Sequence, residues 1–406
     1  MNVFKLCVAT VFCFTMASCS NEDLDSVSVP DQLPKTKSVE NVIELSTVAQ
    51  LLASMEIDQT VMNEVKMGVD RSLAYGLDEE YRFTDMLWPT SSKLLRTTNN
   101  YSFVEKLKNI LESSSIVEAY GLKSPDILDY LSENDVQIYW PYSKAWDGRT
   151  KPIITYLLDG DENYRLGYMI NETSNIDTIS LDKEFVKTHP VWIISKNNTP
   201  YDELPNFENG EYVNKDGVFF YSEVANQWLK EKTRDVRTSP GTVPGYMPGS
   251  AVYIGSINSK NNHDGGLAGG PEFDFIWCHV GQPISGPDPI PFVNRYRINV
   301  SKSDVGTAKQ IDLCIQPNWT PQEIDNALIV IEKDGGKDKN RSVSLKYNYM
   351  GKILPVNVSY KYEKRDDFIL DKIFNRTDIF GDNNKTTEGA WRQYNGDEFW
   401  VTLPTK

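Results

Sequence analysis

Histidine, cysteine and catalytic signatures are all scarce in this chain, and each scarcity excludes something. Three histidines in 406 residues are poor material for a three-histidine zinc centre. Five cysteines occur, none in a C-x-x-C pair. H-E-x-x-H, G-x-S-x-G, the Walker loop and a complete G-x-G-x-x-G are missing as well. The paired carboxylates of a glycosidase need no fixed spacing, so a hydrolase of that kind stays open. Basic residues are outnumbered, 42 Lys and Arg against 57 Asp and Glu, which leaves a net charge of −15. A surface this acidic repels nucleic acid and anionic lipid headgroups, and neither is expected as a general partner. After the first apolar run, none is long enough to cross a bilayer as a helix. What is present is ordinary for a folded chain: 40% hydrophobic residues, 24% charged residues, and a length that suits two or three domains. The 21 Tyr and 9 Trp fit a β-rich extracellular protein.

The chain begins with Lys5, an apolar run from Leu6 to Met16, then Ala17, Ser18 and Cys19. The run is too short to anchor a protein and reads as a processing signal. The pattern resembles the lipobox of bacterial lipoproteins. That resemblance implies cleavage after residue 18 and acylation of Cys19, whose chains together hold the membrane as one chain would not. Ser20 to Asp25 resembles the acidic export tag that sends Bacteroidota lipoproteins to the outer face of the outer membrane, and Ser20 does not fit an inner-membrane retention signal. Residues 19–40, with Pro30 and Pro34, are expected to be a lipidated tether. Asp25-Ser26-Val27 and Asp177-Thr178-Ile179 resemble Bacteroidota O-glycosylation acceptors, which makes Ser26 and Thr178 candidate glycosylation sites.

From residue 41 the apolar period is helical. Leu45, Val48, Leu51, Leu52 and Met55 share a face, with Ser46 or Thr47 as the expected cap. Asp58 is expected to cap a second helix that stops at Gly76, and Ser102–Glu105 reads as a capping box for a third. Ser124-Pro125-Asp126 opens a fourth. After Glu133 strands are expected at 136–140, 152–158, 165–170, 177–181, 191–195 and 218–221, followed by a helix from Ser222. Residues 235–272 read as a Pro/Gly-rich linker or loop, and strand-like runs resume at 273. The expected class is therefore α+β: a helical region over 41–133, a β-rich region over 134–234 and an antiparallel β-sandwich over 273–406.

Four groups of residues carry possible chemistry. Glu332, Asp334 and Asp338, around a Gly-Gly turn, resemble the calcium-binding edge of a synaptotagmin-type sandwich and would offer Ca²⁺ hard oxygen ligands. Lys333, Lys337 and Lys339 enter the same loop, so a solvated hairpin competes with that site. His263, Asp264 and Glu272 lie on a Gly-rich segment that is either a metal or acid/base site or a plain loop. Cys278 and Cys314 either pair in an oxidising compartment or serve as two buried thiols. Tyr139, Trp140, Tyr142 and Trp146 form either a stacking platform for sugar rings or part of a core. His279 alternates with Trp277 and Phe275 and reads as a packed residue.

The segments VAQLLASM with VMNEVKMGVD, VQIYWPYSKAWDG, PVWIISKNN, AGGPEFDF and ALIVIEKDGG together resemble an uncharacterised group of Bacteroidota outer-membrane lipoproteins. The resemblance implies location and domain order and brings no activity with it. The expected function is a surface-exposed, lipid-anchored protein that binds a carbohydrate or protein ligand. A surface hydrolase acting on glycan or peptide, and a structural subunit of the envelope, are the alternatives.

Overall fold

The computed structural model describes residues 43–94, 102–113, 123–157, 165–170, 175–238, 250–262, 269–281 and 288–406. The chain from Asn41 to Lys406 forms one compact unit. Its first layer is helical. The stripes expected from the sequence bury Val48, Leu51, Leu52, Val61, Met62, Val65, Val69, Phe103, Leu107 and Leu111. Asp58 caps the helix Gln59–Ala74 by accepting the Val61 N–H at 3.0 Å, and Gly76 follows with a φ of +77° that an L side chain resists. Two expected caps differ. Glu44, not Ser46 or Thr47, precedes the helix Leu45–Ser54, and it makes no side-chain cap bond. The helix Ser102–Ser113 is capped from outside: buried Glu64, on the neighbouring helix, accepts the Phe103 N–H at 3.0 Å. A carboxylate placed there also answers the positive end of the helix dipole.

The helices cover one face of a mixed six-stranded sheet. Its strands are β1 (Glu80–Arg82), β2 (Val136–Tyr139), β3 (Ile153–Tyr156), β4 (Arg165–Ile170), β5 (Ile176–Leu181) and β6 (Val191–Lys196), in the order β1-β2-β6-β3-β4-β5. Ile138, Trp140, Ile154, Trp192 and Ile194 share a core with the helices. Tyr139, Ile153, Val191 and Ile193 alternate to the opposite face, where Val186 of the short helix Lys183–Thr188 covers them. The helical region and the first sheet are thus two layers around one core.

The second half is a sandwich. Its strands are β7 (Val218–Phe220), β8 (Val252–Ser259), β9 (Glu272–Gly281), β10 (Ile290–Asn299), β11 (Lys309–Gln316), β12 (Asp325–Glu332), β13 (Asp338–Tyr349), β14 (Lys352–Glu363), β15 (Asp367–Asn375), β16 (Gln393–Gly396) and β17 (Phe399–Thr402). A five-stranded sheet, β15-β12-β9-β10-β7, faces a four-stranded one, β11-β8-β17-β16. All pairs are antiparallel except β10 with β7. Phe273, Phe275, Trp277, Leu328 and Val330 meet Ile254, Ile257, Leu313, Phe399 and Val401 between the sheets. On the outer face of the five-stranded sheet, the long β13–β14 hairpin lays Leu345, Tyr347, Val358 and Tyr360 over Ile276, Cys278 and Ile329. The α+β class with a helical N-terminal region and a C-terminal sandwich is what the sequence led one to expect. Strand β8 lies within 235–272, the stretch expected to be linker, and its centre is Gly255. A Cβ there would lie 2.6 Å from both Pro404 and Thr402. That close approach explains a glycine inside a strand.

Candidate functional site

Two places concentrate chemistry. The first is the junction where the six-stranded sheet meets the sandwich. Directly after Gly76 and Leu77 come three consecutive acids, Asp78, Glu79 and Glu80, and all three are buried. A tight turn, closed by the Glu80 N–H to Asp78 O bond at 2.8 Å, brings Asp78 and Glu80 to one cavity and leaves Glu79 to reach Tyr142 and Ser143. Asp78 accepts N–H bonds from Gly270, at the start of the sandwich, and from Glu79, at 2.8 and 2.9 Å. Glu80 takes Asn197 Nδ2 at 2.6 Å and lies 3.5 Å from Arg82 Nε. Arg82 is itself buried, donates to Thr199 O at 2.6 Å and pairs with Asp135 at 3.2 Å. From the sandwich side, Glu272 accepts Thr199 Oγ1 at 3.1 Å, and Asp274 holds Arg297 through two bonds of 2.8 and 3.2 Å.

Burial sets the ionisation here. Desolvation, with the charges of Glu79 and Glu272 adding to it, pushes Asp78 from 3.8 up to about 7. Desolvation pushes Glu80 from 4.5 up to about 8, with Arg82 opposing and Asp78, Glu272 and Asp135 adding. Asp274 goes the other way: burial alone would raise it, yet the charge and hydrogen bonds of Arg297 outweigh burial and hold it down. Asp78, Glu80, Gln137, Ser195, Lys196 and Glu272 help to line a small cavity of about 30 Å³ at this joint.

The second place lies at the other end of Glu79. Its carboxylate accepts the Tyr142 N–H at 3.2 Å and Ser143 Oγ at 3.3 Å. Burial raises its pKa, and those bonds work against the rise. Tyr142 sits at φ +57°, a backbone conformation unusual for a bulky side chain. The chain then turns through Ser143–Ala145 to Trp146. Trp146 packs edge-on to buried Trp140 with ring centres 5.4 Å apart, and its Nε1 donates to Thr150 O at 2.9 Å. Asp147 closes the loop by accepting the Arg149 and Thr150 N–H groups at 2.8 Å and Thr150 Oγ1 at 2.7 Å. The Thr150 backbone bond, then its side chain, then Arg149 N–H hold its carboxyl down to about 2.

Facing this loop is the end of the helix Lys183–Thr188, capped by Asp182 through the Phe185 N–H at 2.8 Å. His189 stacks on Phe185 with ring centres 4.0 Å apart, and its Nδ1 lies 3.0 Å from Thr188 Oγ1. Lys187 pairs with Glu184 at 2.6 Å. Between the two walls runs an open cleft of about 80 Å³ lined by Tyr142, Trp146, Thr150, Thr188 and His189, among others. Tyr142 and Trp146 keep part of their surface open, whereas Tyr139 and Trp140 are core. The aromatic cluster seen in the sequence therefore divides into a buried half and an accessible half.

The other candidates are placed as follows. Cys19, Ser26, His263 and Asp264 lie outside the described residues. Thr178 is exposed on β5, an edge strand of the first sheet. The pairing of Cys278 with Cys314 is corrected: no disulfide joins them. Cys278 faces the hairpin on the outer side of the five-stranded sheet, and burial pushes its thiol up to about 12. Cys314 alternates with core residues Leu313 and Ile315, so it lies on the outer side of the opposing sheet. Two sheets and the core between them separate the sulfurs, a distance no disulfide spans. The Ca²⁺ set is not assembled either. Glu332 is buried, Asp338 is exposed at the start of β13, and among the described residues no three His, Cys, Asp or Glu are grouped to hold a metal. Lys333 occupies the cationic place in that loop, paired with Glu363 and lying 3.5 Å from Asp366, whose Oδ1 also accepts the Asp334 and Gly335 N–H groups. His279 stacks on Phe292 and lies 3.7 Å from buried Glu323.

The acid run at 78–80 and its tie to Tyr142 were not anticipated. Three consecutive acids ordinarily read as a solvated stretch, and the signal against that was Arg82 two residues on, a cation that pairs with Glu80 inside β1. Comparison with family models, with curated proteins and with solved structures finds no match.

Proposed function

We propose that this is a lipid-anchored protein on the outer surface of a bacterial outer membrane, and that it binds an extracellular ligand in the cleft between Trp146 and His189. The lipobox at Cys19 and the acidic tether support the location. One observation carries the binding role: Tyr142 and Trp146 are fixed in place by the fold and still present open surface to a cleft. Rigid aromatic groups that the core does not consume are the usual means of holding a small ligand. Fatty-acid labelling of the full chain tests the anchor. Label taken up by the wild type and lost in Cys19→Ala supports it; label kept by the variant removes it. Protease shaving of intact cells tests the orientation, since a chain facing the periplasm would be spared.

A surface hydrolase is the second reading, and the junction favours it, because carboxyls pushed to about 7 and about 8 beside a cavity are what general acid catalysis requires. Release of product from glycan or peptide polymers, abolished in Glu80→Gln while the fold is kept, would support catalysis. No release from a broad polymer panel would remove it.

A further inference from the structure

The charges around the aromatic cleft are already spoken for, and this narrows what the cleft accepts. Asp147 is saturated by three donors from its own loop. Lys187 is paired with Glu184. Asp147 and Lys187 are the one acid and the one lysine of the lining, so it carries no excess of either sign to select an ionic ligand. What remains are the partly open rings of Tyr142 and Trp146, the Nε2 edge of His189, and the acceptor side of the Thr150 and Thr188 hydroxyls, whose protons are given to Asp147 and to Phe185 O. An apolar ring surface bordered by hydrogen-bonding groups is the complement of a pyranose, whose C–H groups form one apolar face and whose hydroxyls form an uncharged edge.

Two further facts separate this cleft from a chance hollow. Tyr142 is strained at φ +57°, and a buried carboxylate, Glu79, is used to hold it there. Strain of this kind persists where the surroundings over-determine it, and it collects at sites that grip something. Trp146 is fixed by both an edge contact and a hydrogen bond, so little side-chain freedom is lost when a ligand stacks on it.

We propose that the cleft walled by Tyr142, Trp146 and His189 binds a neutral sugar ring of a glycan. The proposal rests on the binding role given above and names its ligand class. The test presents the full chain with neutral glucan, mannan and galactan oligosaccharides, with uronic-acid oligosaccharides and with unstructured peptides. Neutral oligosaccharides should bind, and Trp146→Ala should weaken them about tenfold or more. A second measurement needs no variant: bound neutral oligosaccharide should protect Trp146 of the wild type from oxidation by N-bromosuccinimide, mapped by mass spectrometry. Binding confined to uronic-acid or peptide probes, and dependent on Trp146, would overturn the neutral sugar while leaving the cleft a binding site. Absence of binding by every probe, or binding that ignores Trp146 and leaves it unprotected, would overturn both.

Discussion

The junction, with a cavity of about 30 Å³, and the aromatic cleft, of about 80 Å³, differ in what the protein leaves over for a ligand. At the junction the acids meet donors and cations of the protein itself, while Arg82 Nε and Nη1 rest on ion pairs at 3.5 and 3.2 Å and make no hydrogen bond. Asp78 has two backbone donors, Glu80 has Asn197 and Arg82, Glu272 has Thr199, and Asp274 has Arg297. In the cleft the charges are also satisfied, but aromatic surface is left over. A perturbed pKa therefore marks cost more surely than it marks a task. The acids of the junction are displaced from their ordinary values because they join two layers of structure. The cleft has unspent surface, and that is what a ligand can use.

The largest way to break this comparison is to unbalance the junction. Arg297→Met leaves buried Asp274 with only the longer contact from Arg295 at 3.5 Å, which should cost about 3 kcal/mol in chemical denaturation. Adding Asp274→Leu should recover most of that loss, because an apolar pair of similar bulk needs no charge balance. A single variant that unfolds at the wild-type midpoint would mean that the Asp274–Arg297 pair contributes nothing.

Next comes pH. Asp78 and Glu80 rise from 3.8 and 4.5 to about 7 and about 8 on folding, so the folded protein keeps protons that the unfolded chain has released. Their contribution to stability is whole below about pH 4, shrinks as pH rises and is gone above about pH 8. Asp85, Asp135 and Glu64 are raised as well, chiefly by burial, and act in the same direction. Asp274 is lowered and acts oppositely, but below this window. Denaturation midpoints should therefore fall from about pH 5 to about pH 8, and the fall should be shallower in the Asp78→Asn, Glu80→Gln double variant. An equal slope in both proteins would assign the pH dependence to other groups.

Much of the fold could be read from the sequence because local signals and tertiary burial agree there. Asp58 caps the helix it was expected to cap, and β4 runs over the expected residues, Arg165–Ile170. Where they disagree, the reading fails. Strand β8 was hidden by the Pro- and Gly-rich stretch before it and by Gly255 at its centre, a glycine explained by the approach of Pro404 and Thr402. Half of the cleft was visible as an aromatic cluster, yet the division into buried Trp140 and open Trp146 depends on where Trp192 packs, 5.9 Å from Trp140. The acids at 78–80 were not visible as a site because burial of a charge is decided by partners far along the chain, such as Gly270 and Asn197.

Glu79 blurs the comparison, because it belongs to the acid run and yet holds the cleft. Glu79→Gln keeps its size and removes its charge, so the bonds from Tyr142 N–H and Ser143 Oγ weaken from charge-assisted to neutral. The expected cost is about 1–2 kcal/mol, together with a change in the near-ultraviolet signal of the neighbouring Tyr and Trp residues. If the near-ultraviolet spectrum stays that of the wild type while stability drops, Glu79 supports the fold without positioning the cleft.

The smallest effect sharpens the difference between core and surface within one aromatic pair. Trp140→Ala removes a ring buried between Trp146 and Trp192 and should cost about 3–5 kcal/mol, as large-to-small changes in cores do. Trp146→Ala removes a partly open ring whose hydrogen-bond acceptor, Thr150 O, sits in an exposed loop where water can replace the indole N–H. The lost contact is mainly an edge against Trp140, so the cost should be about 1 kcal/mol or less. Guanidinium titrations of both variants measure the two costs side by side. A Trp146→Ala loss as large as that of Trp140→Ala would make Trp146 part of the core and would leave the cleft without a surface to offer a ligand.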